Sequence, residues 1–260
     1  MNRDFTGKTA VITGGAGGIG SAMVRKFAAC GADVYIIDIN DESGNALEKE
    51  LKEAGKNVRY IHCSVYEADE VNSAVEAVVK EKGKIDFLLN NAGANIALDK
   101  RGKIRKYSDA GWNFTVDVCM DGVYHFTKCV LPHMIKNGGG KIINTGSVTG
   151  MRMGLRNQCA YNMAKAAIHN MSRATAAKYA KYNITVNCVI PGTTWHENFY
   201  KSLCGDQDKL KQFLSHVPIS KPNTPEDMAN AAAWLCSEEA DRVTGLLMNI
   251  DGGWAASYCK

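Results

Sequence analysis

The pattern that most restricts the fold of this chain is a regular alternation of short apolar runs with longer amphipathic stretches. Strands of a parallel sheet are buried on both faces and are therefore apolar, and each is usually followed by a helix that covers the sheet. Seven runs fit strands of this kind: Thr9–Thr13, Asp33–Asp38, Val58–His62, Ile85–Asn90, Lys141–Ser147, Ile184–Ile190 and Leu246–Ile250. The alternation predicts an α/β fold with a doubly wound parallel sheet.

Amphipathic stretches between these runs predict the covering helices. They are Ile19–Cys30, Asp41–Ala54, Ala68–Lys82, Asp109–Lys136, Ala160–Tyr182 and Pro225–Cys236. The last of them has a strong start signal, because Thr224 supplies a capping hydroxyl and Pro225 suits the first helical turn. The 260 residues are 45% apolar and contain no repeat or linker-like stretch, so we expect one domain with one sizeable core.

Composition excludes several classes of partner and site. The net charge of +4, with 22% charged residues, gives no electrostatic argument for nucleic acid. Nine cysteines without a Cys-x-x-Cys pair, and six histidines without ligand spacing, indicate neither a disulfide framework nor a metal site. Neither a signal peptide nor an apolar run of about 18 residues is present, so we expect a cytoplasmic protein without membrane contact.

A glycine-rich turn follows the first apolar run directly, in the sequence Thr13-Gly-Gly-Ala-Gly-Gly-Ile-Gly20. Gly14, Gly18 and Gly20 leave room for a tight turn, for backbone beside a phosphate and for a helix packed on a strand. Asp38 ends the second run, where a carboxylate accepts the ribose hydroxyls of a dinucleotide and repels a 2′-phosphate. Because the turn contains no Arg or Lys, the sequence predicts NAD rather than NADP as the cofactor.

Tyr161 and Lys165 are spaced by one helical turn and therefore share a helix face. The ammonium favours the anionic form of the phenol, so we interpret Tyr161 as a general acid/base and Lys165 as the group that assists it. Ser147, at the end of the fifth run, would stabilise charge on the substrate oxygen. The catalytic prediction is therefore Ser147, Tyr161 and Lys165.

In order and spacing these motifs, with Asn90-Asn-Ala-Gly93, Pro191-Gly192 and Asp251-Gly-Gly253, resemble the short-chain dehydrogenase/reductase family over nearly the whole chain. The resemblance implies a seven-stranded Rossmann-like sheet in residues 1–260, a substrate lid near residues 193–216, and homo-oligomers, usually tetramers or dimers. It also implies which residues bind the cofactor. They are Gly14, Gly18, Ile19, Gly20, Asp38, Ile39, Ser64, Val65, Asn90, Asn91, Ala92, Gly93, Tyr161, Lys165, Pro191, Gly192, Thr193 and Thr194.

Two positions depart from the family pattern. Ser64 stands where the family commonly has Asp, which alters the adenine contact although a hydroxyl can still form a hydrogen bond. Cys119 stands where the family usually has an Asn that holds a helix kink and a water of the proton relay. A thiol is a poor relay partner, so either another water or a neighbour, Asn113 or Asp117, would have to compensate.

Clues to the substrate come from the segments that enclose it in the family. The lid carries an apolar stripe of Trp195, Phe199 and Leu203, followed by Phe213 and Leu214, which either covers a lipophilic substrate or packs on the core. In the loop after Ser147, apolar Met151, Met153 and Leu155 alternate with Arg152 and Arg156, a mixture that suits a lipophilic acid. The basic segment 100–106 either meets an anionic group or is a solvated loop.

Within the family, the segments 38–40 and 216–230 are similar to those of bacterial hydroxysteroid dehydrogenases that act on bile acids. A sugar or polyol dehydrogenase is the main alternative, and it would require a more polar pocket. A 3-oxoacyl-carrier reductase is a further alternative, although such reductases usually use NADP. Cys119 raises a fourth possibility of another class, a catalytically silent NAD-binding protein.

Overall fold

The computed structural model describes residues 3–94, 104, 107–152, 158–195 and 206–257, without the side chain of Phe213. Seven parallel strands form one sheet in the order β3-β2-β1-β4-β5-β6-β7, which confirms the predicted architecture. The strands are β1 Thr9–Thr13, β2 Asp33–Asp38, β3 Val58–His62, β4 Phe87–Asn90, β5 Gly140–Thr145, β6 Ile184–Pro191 and β7 Leu247–Ile250.

Helices cover both faces of this sheet. Those described are α1 Gly18–Ala29, α2 Asp41–Glu53, α3 Ala68–Lys82, α4 Asp109–Val116, α5 Gly122–Lys136, α6 Cys159–Tyr179, α7 Gln207–Leu214 and α8 Pro225–Cys236. Successive strand residues point to opposite faces, so Ile12 packs in one apolar cluster with α1 and α8 while Val11 packs in another with α3 and α5. These two clusters form most of the core, and a third, smaller cluster includes Val123, Ile168 and Ile190.

The strand order reverses between β1 and β4, which are neighbours in the sheet although β2 and β3 separate them in sequence. In open α/β sheets the two connections that leave such a point run to opposite sides, and a crevice opens at the carboxyl ends of the strands. The fold therefore places any ligand site where β1 and β4 end. None of the described helices is long and apolar enough to cross a membrane.

The predicted helix Asp109–Lys136 is interrupted. Residues 117–121 form a π-helical turn between α4 and α5, and Gly122 begins α5 where a Cβ would lie 2.6 Å from Val65. A π-turn is often found at a functional site, because one additional residue shifts the register of the side chains that follow. The apolar pattern alone does not reveal this turn, since it continues through both helices.

The region of the predicted lid contains a short helix that the sequence pattern did not predict. Asp206 caps α7, because its carboxylate accepts hydrogen bonds from the backbone N–H groups of Asp208 and Lys209. Leu214 at its end is buried, whereas Trp195 is 38% exposed. Phe199 and Leu203 lie outside the described residues, so the predicted stripe stays a prediction.

Candidate active site

A cavity of about 780 Å³ lies at the carboxyl ends of the strands. Its volume is within the range of small-molecule sites. The predicted catalytic residues and nearly all predicted cofactor residues form its wall. Asn90 is the exception among them: it is buried beneath the cavity, where its amide donates to Thr127 and Asn144. These bonds support the end of β4, as the family resemblance implied, and the implied contact of Asn90 with the cofactor stays a prediction.

The glycine turn has the conformation that its composition predicts. Gly14 has a φ of +60°, and a Cβ on Gly20 would lie 2.0 Å from the carbonyl oxygen of Gly14. At Gly18, by contrast, a Cβ would meet nothing within 4 Å, so the space beside the first turn of α1 is open. Gly17 precedes this helix without a side-chain cap, which leaves backbone N–H groups available to an anionic group.

Asp38 connects the end of β2 to this turn. One carboxylate oxygen accepts the N–H of Ala16 at 3.0 Å, and the other accepts the N–H of Asn40 at 3.1 Å. The side chain lines the cavity beside Ile39. These bonds fix a negative charge at the place where the adenosine half of a dinucleotide would be bound.

Thr13 connects β1 to the chain that leaves β4. Its hydroxyl oxygen accepts the N–H groups of Asn91 and Ala92, both at 3.0 Å. The Asn91 amide in turn donates to the carbonyl oxygens of Thr13 and Gly14 at 3.2 Å. This reciprocal set holds the two strand ends together and shapes the floor of the cavity between them.

Ser64, which stands where the family commonly has an Asp near the adenine, also faces the site. Ser64 lines the cavity, and its buried hydroxyl has no hydrogen-bond partner within the described part of the chain. Buried hydroxyls are rarely left unpaired, so this one points to a missing ligand group. Together with the open space at Gly18 and the charge of Asp38, it shows that the residues present fit an adenine dinucleotide.

The opposite end of the cavity is built by the end of β6. Gly192 packs closely against β7, since a Cβ there would lie 2.7 Å from the Cα of Asp251. Backbone hydrogen bonds between Thr193 and Asn223 and between Asn223 and Trp195 continue the strand pairing beyond the sheet. Pro191, Gly192, Thr193 and Thr194 all line the cavity, as predicted for the residues that hold a nicotinamide.

Ser147 follows β5 and begins a single 3₁₀ turn, Val148–Gly150. Its hydroxyl lies 3.0 Å from the hydroxyl of Thr149 and accepts the backbone N–H of that residue at 3.3 Å. The predicted strand Lys141–Ser147 therefore ends two residues early, at Thr145. This exit from the sheet directs the serine side chain into the cavity rather than into a strand face.

Tyr161 and Lys165 lie on the first turns of α6 and both line the cavity. Lys165 is 2% exposed, and its ammonium donates to the carbonyl oxygen of Thr145 at 2.8 Å. The same ammonium lies 5.5 Å from the centre of the Tyr161 ring. The two side chains therefore share one face of α6, as the i, i+4 spacing predicted. The assistance of Tyr161 by this cation stays a prediction.

Cys119 lies in the π-helical turn and is fully buried. Its thiol donates to the carbonyl oxygen of Ala94 at 3.3 Å, behind the cavity wall formed by Gly93 and Ala94. Asn113 is exposed on α4 and Asp117 is half-buried, and neither belongs to the described wall. The structure therefore gives no support to compensation by either residue.

A histidine that the sequence reasoning missed lies beneath Ser147. The Nε2 atom of His169 accepts the backbone N–H of Ser147 at 3.3 Å. Burial, with the cations of Lys165 and Arg173, lowers the pKa of His169 to about 4. Its position four residues after Lys165, on the same stripe of α6, was the available signal.

Arg152, which the sequence associated with an acidic substrate, contacts the C-terminal segment. Its guanidinium donates to the carbonyl oxygens of Trp254, at 2.8 Å, and Ser257. These bonds tie the loop after Ser147 to the C-terminal segment, and Trp254 lines the cavity. Met151 is 49% exposed, and Met153, Leu155 and Arg156 lie outside the described residues.

Comparison with known proteins finds reductases and dehydrogenases, which agrees with the groups assembled in this cavity. A family model described as enoyl-(acyl carrier protein) reductase matches residues 14–255. The 2,5-dichloro-2,5-cyclohexadiene-1,4-diol dehydrogenase LinX of Sphingobium indicum is 36% identical, over 98% of this chain and 99% of that protein. The 3-oxoacyl-[acyl-carrier-protein] reductase FabG of Chlamydia muridarum is 34% identical, over 98% and 100%.

A steroid-oxidising relative and a solved structure are also similar. The 3beta-hydroxysteroid dehydrogenase 2 of Eggerthella lenta is 33% identical, over 98% of this chain and 97% of that protein. The crystal structure of gox2181 superposes with a TM-score of 0.92 at 27% identity, with 98% of each chain covered.

The seven-stranded sheet, the site at its switch point and these matches place the chain in the short-chain dehydrogenase/reductase family. It is an oxidoreductase of that type, and members of the family use NAD(H) or NADP(H).

Proposed function

We propose that this protein is an NAD-dependent dehydrogenase that interconverts a secondary alcohol and a ketone. The observation that carries the proposal is the convergence of Ser147, Tyr161 and Lys165 in one cavity with the glycine turn and Asp38. Bound NAD would supply the chemistry of hydride exchange. The chain supplies positioning, proton transfer and electrostatic stabilisation around the carbon that reacts.

Three side chains divide this work. In oxidation the Tyr161 phenolate takes the proton from the alcohol as a general base, and in reduction the Tyr161 hydroxyl donates its proton to the ketone oxygen as a general acid. Lys165 favours the phenolate through its buried positive charge, which Thr145 holds in place. Ser147 donates its one hydroxyl proton to the substrate oxygen, and the Thr149 hydroxyl then donates to the Ser147 oxygen.

The preference for NAD over NADP rests on charge. Asp38 is held beside the ribose position by two backbone N–H groups, so its carboxylate would repel a 2′-phosphate. Residues 14–20 include no Arg or Lys that could neutralise that phosphate. A hydroxyl-bearing ribose, by contrast, would donate to the same carboxylate.

The substrate that fits best is an apolar compound with its hydroxyl on a ring carbon, such as a hydroxysteroid or bile acid. Phe114, Val118, Val148, Trp195 and Trp254 give the cavity a largely apolar wall. Relatives named for a chlorinated cyclohexadienediol and for a 3β-hydroxysteroid support a ring alcohol. The acidic group of a bile acid has weaker support, because Arg152 is engaged with the C-terminal segment.

Reduction of a 3-oxoacyl group on a carrier protein is a second candidate. It is favoured by the similarity to FabG and by the description of the matching family model. A sugar or polyol dehydrogenase is disfavoured by the apolar wall. A silent NAD-binding protein is disfavoured because the three catalytic side chains all face the cavity.

The experiment that separates these candidates is a spectrophotometric survey of the purified chain. NAD and NADP are each offered with bile acids, sugars, polyols and simple ring alcohols, and NADH and NADPH with a 3-oxoacyl thioester. We expect formation of NADH with steroid or ring alcohols. NADPH-dependent reduction of the thioester would support the second candidate, and NADH binding without turnover of any substrate class would support the silent protein.

We also propose that the chain forms a homo-oligomer, a tetramer or dimer, in the cytoplasm. Membership of a family that usually forms tetramers or dimers supports the oligomer, and light scattering of the purified protein tests it. All seven described cysteines are free thiols, which suits a reducing compartment.

A further inference from the structure

His169 fills the space directly beneath the loop that carries Ser147. The ring is 6% exposed and does not belong to the described cavity wall. A Cβ on Gly146 would lie 2.4 Å from its Nε2 atom, and a Cβ on Gly150 would lie 2.9 Å from its Cε1 atom. Gly146, before the 3₁₀ turn, and Gly150, its last residue, therefore leave space for the imidazole ring.

The ring makes one specific contact with this loop. Its Nε2 atom accepts the backbone N–H of Ser147 at 3.3 Å, across 22 residues of sequence. A neutral imidazole can accept at Nε2 only when its proton is on Nδ1. Burial and the positive charges of Lys165 and Arg173 on α6 lower the pKa of His169, so its ring stays neutral. The Cys188 thiol of β6 also lies close to Gly146, and burial raises its pKa, so the thiol stays protonated.

We propose that His169 is a positioning residue that fixes the backbone of Ser147 and thereby directs the serine hydroxyl at the substrate oxygen. The catalytic meaning of this inference rests on the proposed function, whereas the hydrogen bond itself does not. Replacement by an apolar side chain would leave a buried N–H unpaired, and the loop would shift to satisfy it. A small displacement of a catalytic group is enough to slow the reaction substantially.

The kinetic test compares His169→Leu, which removes the acceptor, with His169→Gln, whose amide oxygen can replace it. We expect the leucine variant to lose about tenfold to a hundredfold in kcat, and the glutamine variant to recover to within about threefold of wild type. The dissociation constant for NADH should stay unchanged in both. Equal losses in the two variants, or a loss in NADH binding instead of kcat, would overturn the proposal.

A double-mutant cycle shows whether His169 acts through Ser147. If it does, His169→Leu should cost much less in a Ser147→Ala background than in wild type, because the group that it positions is already absent. Losses that multiply independently would mean that the histidine acts elsewhere. The melting temperatures of all variants are measured in parallel, since a purely structural residue would lower stability equally in both backgrounds without this kinetic coupling.

A measurement without substrate keeps the inference separate from the proposed function. Nitrogen NMR of the labelled chain should show His169 neutral at pH 6, with its proton on Nδ1, and the Ser147 amide protected from hydrogen exchange. In His169→Leu the protection should fall and in His169→Gln it should return. A proton on Nε2, or an imidazolium at that pH, contradicts the inference even in an active enzyme. If wild type oxidises no alcohol, only the proposed function fails.

Discussion

Asp38 shows how a single charge can select a cofactor. Asp38→Asn removes the negative charge and keeps one acceptor oxygen, which can serve only one of the Ala16 and Asn40 N–H groups. We expect the ratio of kcat/KM for NAD to that for NADP to fall by about tenfold to a hundredfold, since the repulsion of a 2′-phosphate disappears.

The matched control is Asn40→Ala. Asn40 lies two residues away and caps α2 through Ser43 without carrying charge. Asn40→Ala should leave the ratio of kcat/KM for NAD to that for NADP unchanged and lower the stability of the fold slightly. An unaltered ratio in Asp38→Asn would show that another feature selects the cofactor.

Individual residues also show which contacts of the site the sequence could reveal and which it could not. The i, i+4 spacing of Tyr161 and Lys165 is local, so helix geometry alone places them together. The bonds of Arg152 to Trp254 and Ser257 could not be predicted, because these partners lie more than 100 residues away. His169 was missed for a similar reason, since its hydrogen bond to Ser147 exists only once β5 and α6 are packed.

At the scale of elements, the turn between β1 and α1 contains one glycine that the fold requires and another that only cofactor binding requires. Gly20→Ala places a Cβ against the carbonyl oxygen of Gly14, so we expect a lower melting temperature and loss of NADH binding. Gly18→Ala meets open space in the chain itself. It should retain the melting temperature but weaken NADH binding by about tenfold or more, because the cofactor phosphate approaches there.

Calorimetry of the free chain and titration with NADH check both variants. The account would be contradicted if Gly18→Ala bound NADH as wild type does, or if Gly20→Ala were as stable as wild type.

Whether a segment is a helix or a strand was easier to predict from the sequence than where that element begins and ends. All seven strands follow from apolar runs, because a doubly covered parallel sheet imposes that pattern. The π-helical turn at residues 117–121 does not follow from the apolar pattern; only the family resemblance, which places a helix kink at Cys119, pointed to it. Helix α7 was not predicted, because its start signal is a single Asp206 cap in a short, mostly polar stretch.

For the whole molecule, the buried histidine predicts how stability depends on pH. Burial in the folded protein lowers the pKa of His169 from its ordinary value of 6.5 to about 4. Between these values the unfolded chain binds the proton and the folded chain does not, so the free energy of unfolding falls as the pH falls. The difference from His169→Gln should reach up to roughly 3 kcal/mol at the lower end of this window.

Denaturant titrations of both proteins from pH 7 to pH 4 measure this difference. Exposed carboxylates whose pKa the fold lowers, such as Asp41 and Glu50, lose their contribution only below their ordinary values of 3.8 and 4.5. They occur in both proteins and cancel in the comparison. Parallel curves for wild type and variant across this range would show that folding does not lower the pKa of His169.

The central claim for the whole molecule is that the switch point assembles a proton-transfer site beside a bound dinucleotide. The most direct test measures the turnover and NADH affinity of Tyr161→Phe against wild type, with any ring alcohol that wild type oxidises. Removal of the phenolic hydroxyl should lower kcat by about a thousandfold or more and change the dissociation constant for NADH by less than about threefold. Turnover at the rate of wild type would contradict the account.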